Sequence, residues 1–203
     1  MSDSTDEALV REFVRTGSRA AFSQLYYRYK DKVFNTAYRI VGEYEGARDV
    51  AHDVFLKVYV EAPGFMFKAS FSSWLYRIAV NRSLDEARRA KRRRTSSVDA
   101  LPGELASGRD SDLPESSVIG KEAGAEFAEA LSALSPKLRT VITLRYFEGL
   151  TYEQIAEVLG RPIGTVKSRL RRAHHKLGDK LNAMGFTPPE GDYGLFNLSG
   201  NDA

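Results

Sequence analysis

Between Ala21 and Val41, apolar side chains fall at Phe22, Leu25, Tyr26, Tyr29, Val33, Ala37, Ile40 and Val41. Steps of three and four residues place them on one stripe of a long α-helix. Gly42 and Gly46 interrupt the pattern, and a second stripe follows at Val50, Ala51, Val54, Phe55 and Val58 until Pro63 and Gly64 stop it. A third opens near Ser70 to Ser73, carries Trp74, Leu75, Ile78 and Ala79 inward, and then turns strongly basic. No segment alternates apolar and polar residues as a half-buried strand would. An all-α protein is the expectation.

Composition sets limits on that fold. With 203 residues, 42% of them apolar, the chain can bury the core of one medium domain or two small ones. A net charge of +3 says little about a polyanionic partner, so the argument rests on where the charges lie. The absence of cysteine excludes disulfides, thiolate zinc sites and a cysteine nucleophile, and suits a reducing compartment. The stretch Met1 to Glu12 is polar and acidic, unlike a secretory signal, and no eighteen apolar residues run together. Together these predict a cytoplasmic protein without membrane insertion.

The chain divides by composition. Residues 1–94 form a first helical domain. Residues 95–120 hold six serines, two prolines, three glycines and the acids Asp99, Glu104, Asp110, Asp112 and Glu115, which reads as a flexible acidic linker. Periodicity resumes at Phe127, Leu131 and Leu134, where Ser135-Pro136 offers an N-cap and a first-turn proline, so residues 121–183 form a second helical domain. The glycine- and proline-rich residues 184–203 form a tail to which no role is assigned.

The second domain carries the most specific local pattern. Leu138, Val141, Ile142 and Tyr146 make one stripe that Gly149 can end. Thr151-Tyr152-Glu153-Gln154 reads as a capping box, with Leu150 and Ile155 placed to staple it. Gly160-Arg161-Pro162 then turns the chain into a helix whose inner face is Ile163, Val166, Leu170, Ala173 and Leu177. Two helices joined by a glycine turn make a helix-turn-helix. Opposite that inner face lie Lys167, Ser168, Arg171, Arg172 and His175, with Arg169 on the flank. Forked donors, hydroxyls and extra cations of this kind suit base edges and phosphates in a major groove, although a solvated basic helix has the same composition.

In the first domain, eight basic residues lie between Arg77 and Arg94 against only Asp85 and Glu86, directly after a loop containing Phe65, Phe67 and Phe71. Cations beside aromatic faces can hold single-stranded DNA, although such aromatics are more often core, as expected of Phe71 and Trp74. Asp49 and Asp53 share a helical side with Lys57, an acidic edge suited to docking on another protein or simply solvated.

These pieces resemble the extracytoplasmic function (ECF) sigma factors of bacterial RNA polymerase. The resemblance is carried by Asp49-Val-Ala-His52-Asp53-Val-Phe55-Leu, Phe71-Ser-Ser-Trp74-Leu75-Tyr76-Arg77-Ile-Ala-Val-Asn81, Tyr152-Glu-Gln-Ile-Ala and Gly164-Thr-Val-Lys167-Ser168-Arg-Leu. It implies that Asp49, Asp53 and Phe55 dock on core RNA polymerase. It implies that Phe67, Lys68, Arg77, Asn81, Arg82 and Arg88 engage the minus-ten element of promoter DNA and help to open it. Lys167, Ser168, Arg171 and Arg172 would read the minus-thirty-five element. An anti-sigma factor is a further implied partner, and no cofactor is expected. His52 stands where the family commonly has glutamine, and the loop before Phe71 lacks the glycine often found there.

Two other classes compete. An enzyme would need Asp49, His52 and Asp53 as a metal or catalytic cluster, yet no second carboxylate-histidine motif accompanies them, and the adjacent His174 and His175 point apart on a helix. No catalytic residue and no metal ligand is therefore expected. A conventional helix-turn-helix repressor would pair its DNA-binding domain with one for dimerisation or ligand binding. Here both halves carry nucleic-acid-directed features.

Overall fold

The structure is a computed structural model that describes residues 4–96 and 121–186. Residues 97–120 of the predicted linker, and the tail from 187 onward, lie outside the described residues. The described elements are all helical: α1 (Asp6–Thr16), α2 (Arg19–Val41), α3 (Tyr44–Glu61), a 3₁₀ turn (Ala62–Gly64), α4 (Phe71–Ser96), α5 (Lys121–Ser132), α6 (Pro136–Ile142), a π-helical turn (Thr143–Phe147), α7 (Tyr152–Leu159) and α8 (Ile163–Ala183).

Helix α1 falls where the sequence reading saw only a polar, acidic start. Its signals are ordinary ones. The Thr5 hydroxyl accepts from the Ala8 amide at 3.3 Å, Asp6 and Glu7 occupy the first turn, and Leu9, Val10 and Phe13 are buried. Asp6 then ties α1 to α2, accepting hydrogen bonds from the Arg28 guanidinium and the Tyr29 hydroxyl. Burial, followed by the hydrogen bond to Asp6, pushes the Tyr29 phenol well above its ordinary pKa.

Helices α1 to α4 form one bundle whose core includes Leu25, Val33, Ala37, Val50, Val54, Val58, Phe71, Leu75 and Ala79. Each of these residues lies on a stripe of its own helix, and together the stripes close the core. Helix α5 and the helix-turn-helix pair form a second body around Phe127, Leu131, Val141, Ile142, Ile155, Val166, Leu170 and Leu177. Ser135 and Pro136 stand at the N-cap and first turn of α6 as expected, although the Ser135 side chain makes no cap hydrogen bond.

The two bodies pack against each other. Ile40 and Tyr76, with Val80, belong to the second core cluster although they sit on α2 and α4. Helix α7 lies on α4, and α6 lies on α2. The Arg39 guanidinium covers the Phe147 ring at 3.9 Å from its centroid. Gly42 ends α2 at φ 89°, and a Cβ there would meet Arg139 Nη1 at 3.0 Å, so glycine serves both the left-handed cap and the close approach of α6.

Candidate polymerase and nucleic-acid interfaces

Helix α3 presents its acidic residues as expected, with Asp49 and Asp53 both exposed. Phe55 does not join them. It is only 8% exposed and packs at 4.8 Å against the Tyr26 ring, which makes it a core residue. The outward apolar residues are its neighbours, Leu56 at 53% and Val60 at 73% exposure. Asp49, Asp53, Leu56 and Val60 follow one another at intervals of four, three and four, so they share a stripe. The inward stripe read from the sequence already includes Phe55 and leaves Leu56 out. Asp53 also reaches Arg82 of α4 at 3.9 Å, an exposed pair worth well under about 1 kcal/mol. A groove of about 270 Å³ runs along this seam, lined by Asp49, His52 and Asp53 on one side and by Arg82, Glu86 and Arg89 on the other. Among the described residues no cluster of histidines and carboxylates has the arrangement to hold a metal ion.

The aromatic loop follows the 3₁₀ turn. Phe65 packs on Phe67 at 4.8 Å and on Trp74 at 4.9 Å, while Phe71 is fully buried. Among the described residues, Phe67 is the one non-glycine residue with positive φ, at 55°. Lys68 is exposed beside it. Along α4, Trp74, Arg77, Asn81 and Arg88 keep helical spacing, with Asn81 and Arg88 exposed. Arg77 is engaged, donating to the backbone carbonyl of Glu157 on α7. The basic run is partly neutralised within itself. Arg88 pairs with Asp85, and Arg93 with Glu86 at 2.7 Å and Glu43 at 3.4 Å, whereas Lys91 and Arg92 make no ion pair among the described residues.

The helix-turn-helix has the predicted local chemistry. Thr151 Oγ1 accepts from the Gln154 amide at 3.3 Å, and Gln154 Oε1 accepts from the Thr151 amide at 2.9 Å, which completes the capping box. Gly160 ends α7 at φ 59°. Glu153 in the first turn is held below its ordinary pKa by its own backbone amide and the Thr151 hydroxyl, with Lys167 and Arg145 contributing. On α8, Lys167, Ser168, Arg171, Arg172 and His175 all face outward, while Val166, Leu170, Ala173 and Leu177 are buried. Ser168, Arg171, Arg172, His175 and Lys176 line one shallow groove. His174 turns the other way to meet the Tyr146 hydroxyl at 2.7 Å, as its position beside His175 requires.

Between the two bodies lies a polar clasp that sequence reasoning missed. Glu148 Oε1 accepts from the Thr36 hydroxyl at 2.7 Å, and Oε2 accepts from the Tyr76 hydroxyl. Ser73 donates to the Glu157 carboxylate at 2.8 Å.

Comparison with known families follows the same division. Residues 25–93 match sigma-70 region 2 and residues 125–177 match sigma-70 region 4. The ECF RNA polymerase sigma factor SigW of Bacillus subtilis is 34% identical over 84% of this chain and 94% of its own length. This chain belongs to the ECF sigma factors. The sigma-E factor of Escherichia coli is 35% identical, with 89% of this chain and 96% of its own covered. Two solved structures share the fold. One is CnrH in complex with the cytosolic domain of CnrY, with TM-score 0.63 and 26% identity over 88% of this chain and 97% of that one. The other is the sigma factor RpoE of Bartonella quintana in complex with the anti-sigma factor NepR, with TM-score 0.64 and 25% identity over 79% and 96%. In this ECF sigma factor, region 2 comprises α2 to α4, region 4 comprises α5 to most of α8, and α1 lies before the matched segment.

Proposed function

We propose that this ECF sigma factor binds bacterial core RNA polymerase in the cytoplasm, directs it to specific promoters and helps to open them, acting by binding and without catalysis of its own. The observation that carries this reading is the presence of three surfaces of different chemistry in one chain: exposed acidic-apolar residues on α3, half-buried aromatic rings beside exposed cations in the loop before α4 and along it, and exposed basic residues on α8.

The stripe of Asp49, Asp53, Leu56 and Val60 suits polymerase docking, because desolvated aliphatic side chains supply the affinity while flanking carboxylates set register. Phe55 supports that stripe from beneath. Phe67 and Lys68, with Arg77, Asn81, Arg82 and Arg88, serve the minus-ten element. Extruding a base costs a few kcal/mol, which an aromatic face worth about 1–3 kcal/mol and a basic channel can offset. Lys167, Ser168, Arg171 and Arg172 read the minus-thirty-five element, each good bidentate contact discriminating by about 1–3 kcal/mol. Arg77 donates to the Glu157 carbonyl, so minus-ten engagement takes that exposed guanidinium away from α7. One solved relative, the sigma factor RpoE of Bartonella quintana, is in complex with an anti-sigma factor, which supports an anti-sigma partner for this chain.

The test is run-off transcription by purified bacterial core polymerase on a promoter library, with and without the protein. Specific transcripts only in its presence support the reading. No transcripts and no association with core, together with tight binding of the protein alone to duplex DNA at physiological salt, would replace it with a repressor.

A further inference from the structure

The aromatic loop has a neighbour outside the matched regions. Arg11, exposed on α1, places its guanidinium carbon 4.1 Å from the centroid of the Phe67 ring. Phe67 has φ 55°, a left-handed conformation that its Cβ and ring disfavour and that persists only where the surroundings impose it. Phe65 meets the same ring at 4.8 Å with an interplanar angle of 61°, and Phe65 in turn rests on Trp74. One face of Phe67 is thus covered by a cation and another part by an aromatic neighbour. The arm that carries the cation is firmly seated: Leu9, Val10 and Phe13 are buried, and Asp6 is bonded to Arg28 and Tyr29 of α2. Arg11 makes no ion pair among the described residues, so its contact with the ring does not compete with a carboxylate.

We propose that Arg11 is a positioning residue for minus-ten recognition: by covering Phe67 from α1 it holds the aromatic loop in its left-handed turn, ready to receive an unstacked base. The proposal rests on the promoter-opening function above. It makes α1 part of the minus-ten site although α1 lies outside the matched regions. A guanidinium over an aromatic ring is a contact of modest strength at an exposed site, so its loss should change loop order and promoter opening severalfold rather than abolish either.

Trp74 is the sole tryptophan of the chain and lies two ring contacts from Phe67, so its fluorescence reports the loop without DNA. R11A, R11K and F67A proteins would be compared with the unaltered chain by acrylamide quenching of Trp74. As holoenzymes with core polymerase, they would be compared by permanganate reactivity of minus-ten thymines on a promoter selected by the unaltered chain. R11A should raise quenching and lower opening roughly threefold to fivefold, with core association unchanged. R11K, which keeps the cation, should restore most of both, and R11A should add nothing in an F67A background. The proposal is overturned if R11A leaves quenching and opening unchanged, if it weakens core association equally, or if its effect adds fully to that of F67A. Should Trp74 respond while even the unaltered chain opens no promoter, the functional reading fails and a role for Arg11 in opening falls with it.

Discussion

The hydroxyl of Tyr76, on the helix assigned to the minus-ten element, donates its hydrogen bond to the carboxylate of Glu148, which lies between the π-helical turn and the helix-turn-helix. The same carboxylate takes the Thr36 hydroxyl, and burial around it lowers the pKa of the neighbouring Arg39 guanidinium while the Glu148 charge opposes that shift. One acidic side chain therefore gathers groups from α2 and α4 and holds region 4 on region 2.

Replacing Glu148 with alanine should leave the buried hydroxyls of Thr36 and Tyr76 without an acceptor, at a cost of about 2 kcal/mol to the packing between the bodies. Small-angle scattering should record a larger radius of gyration, with helicity by circular dichroism unchanged. An unchanged radius would show that apolar contacts alone hold the bodies together.

High pH should act on the same joint. Burial first, and then the Glu148 carboxylate, push the Tyr76 phenol well above the ordinary value of 10.0. A folded pKa raised above the unfolded one contributes stability that is present below pH 10 and lost as pH rises beyond it. Phenolate absorbance should show Tyr76 titrating after the exposed tyrosines, and Y76F should flatten the alkaline fall in stability. Equal alkaline slopes for the two proteins would refute this.

The surfaces assigned to polymerase and to DNA should separate genetically. R171A should cost about 1–3 kcal/mol of minus-thirty-five discrimination while core polymerase still binds. L56D should do the reverse, weakening core association while Arg171 and its neighbours remain presented. Loss of core binding by R171A would contradict the division of roles.

Ile155 is completely buried beneath the helix-turn-helix. I155A should lower stability by about 2–5 kcal/mol in urea unfolding, through the lost side chain and the cavity it leaves. A smaller cost would mean that α7 can settle onto α8.

Helices α2 and α7 were legible because stripe and cap residues agree at each, and α8 through its stripe from Val166 onward, although Ile163, read as inward, is 39% exposed. Helix α1 was not, because Asp6, Glu7 and Glu12 dominated a short segment whose apolar stripe is only Leu9, Val10, Phe13 and Val14. Spacing put Phe55 on the inward stripe of α3 while the family motif named it for docking, and its burial follows the spacing. The packing between the bodies was hidden for a different reason. Ile40 and Val80 read as core wherever they point, and nothing local says that their core is completed by residues about a hundred positions away. The turn at Phe67 carries no glycine to announce it, so its left-handed backbone emerges only from the tertiary contacts around the ring.

Arg139 gives the joint a second property. It is 8% exposed, its Nε finds no hydrogen-bond acceptor among the described residues, and burial together with the nearby Arg94 lowers its pKa. A buried cation without an anion works against the very packing that buries it. Closure is therefore held in part by Glu148 and opposed by Arg139. The joint thus carries, a few residues apart on either side of the π-helical turn, one group that seals it and one that works against the seal.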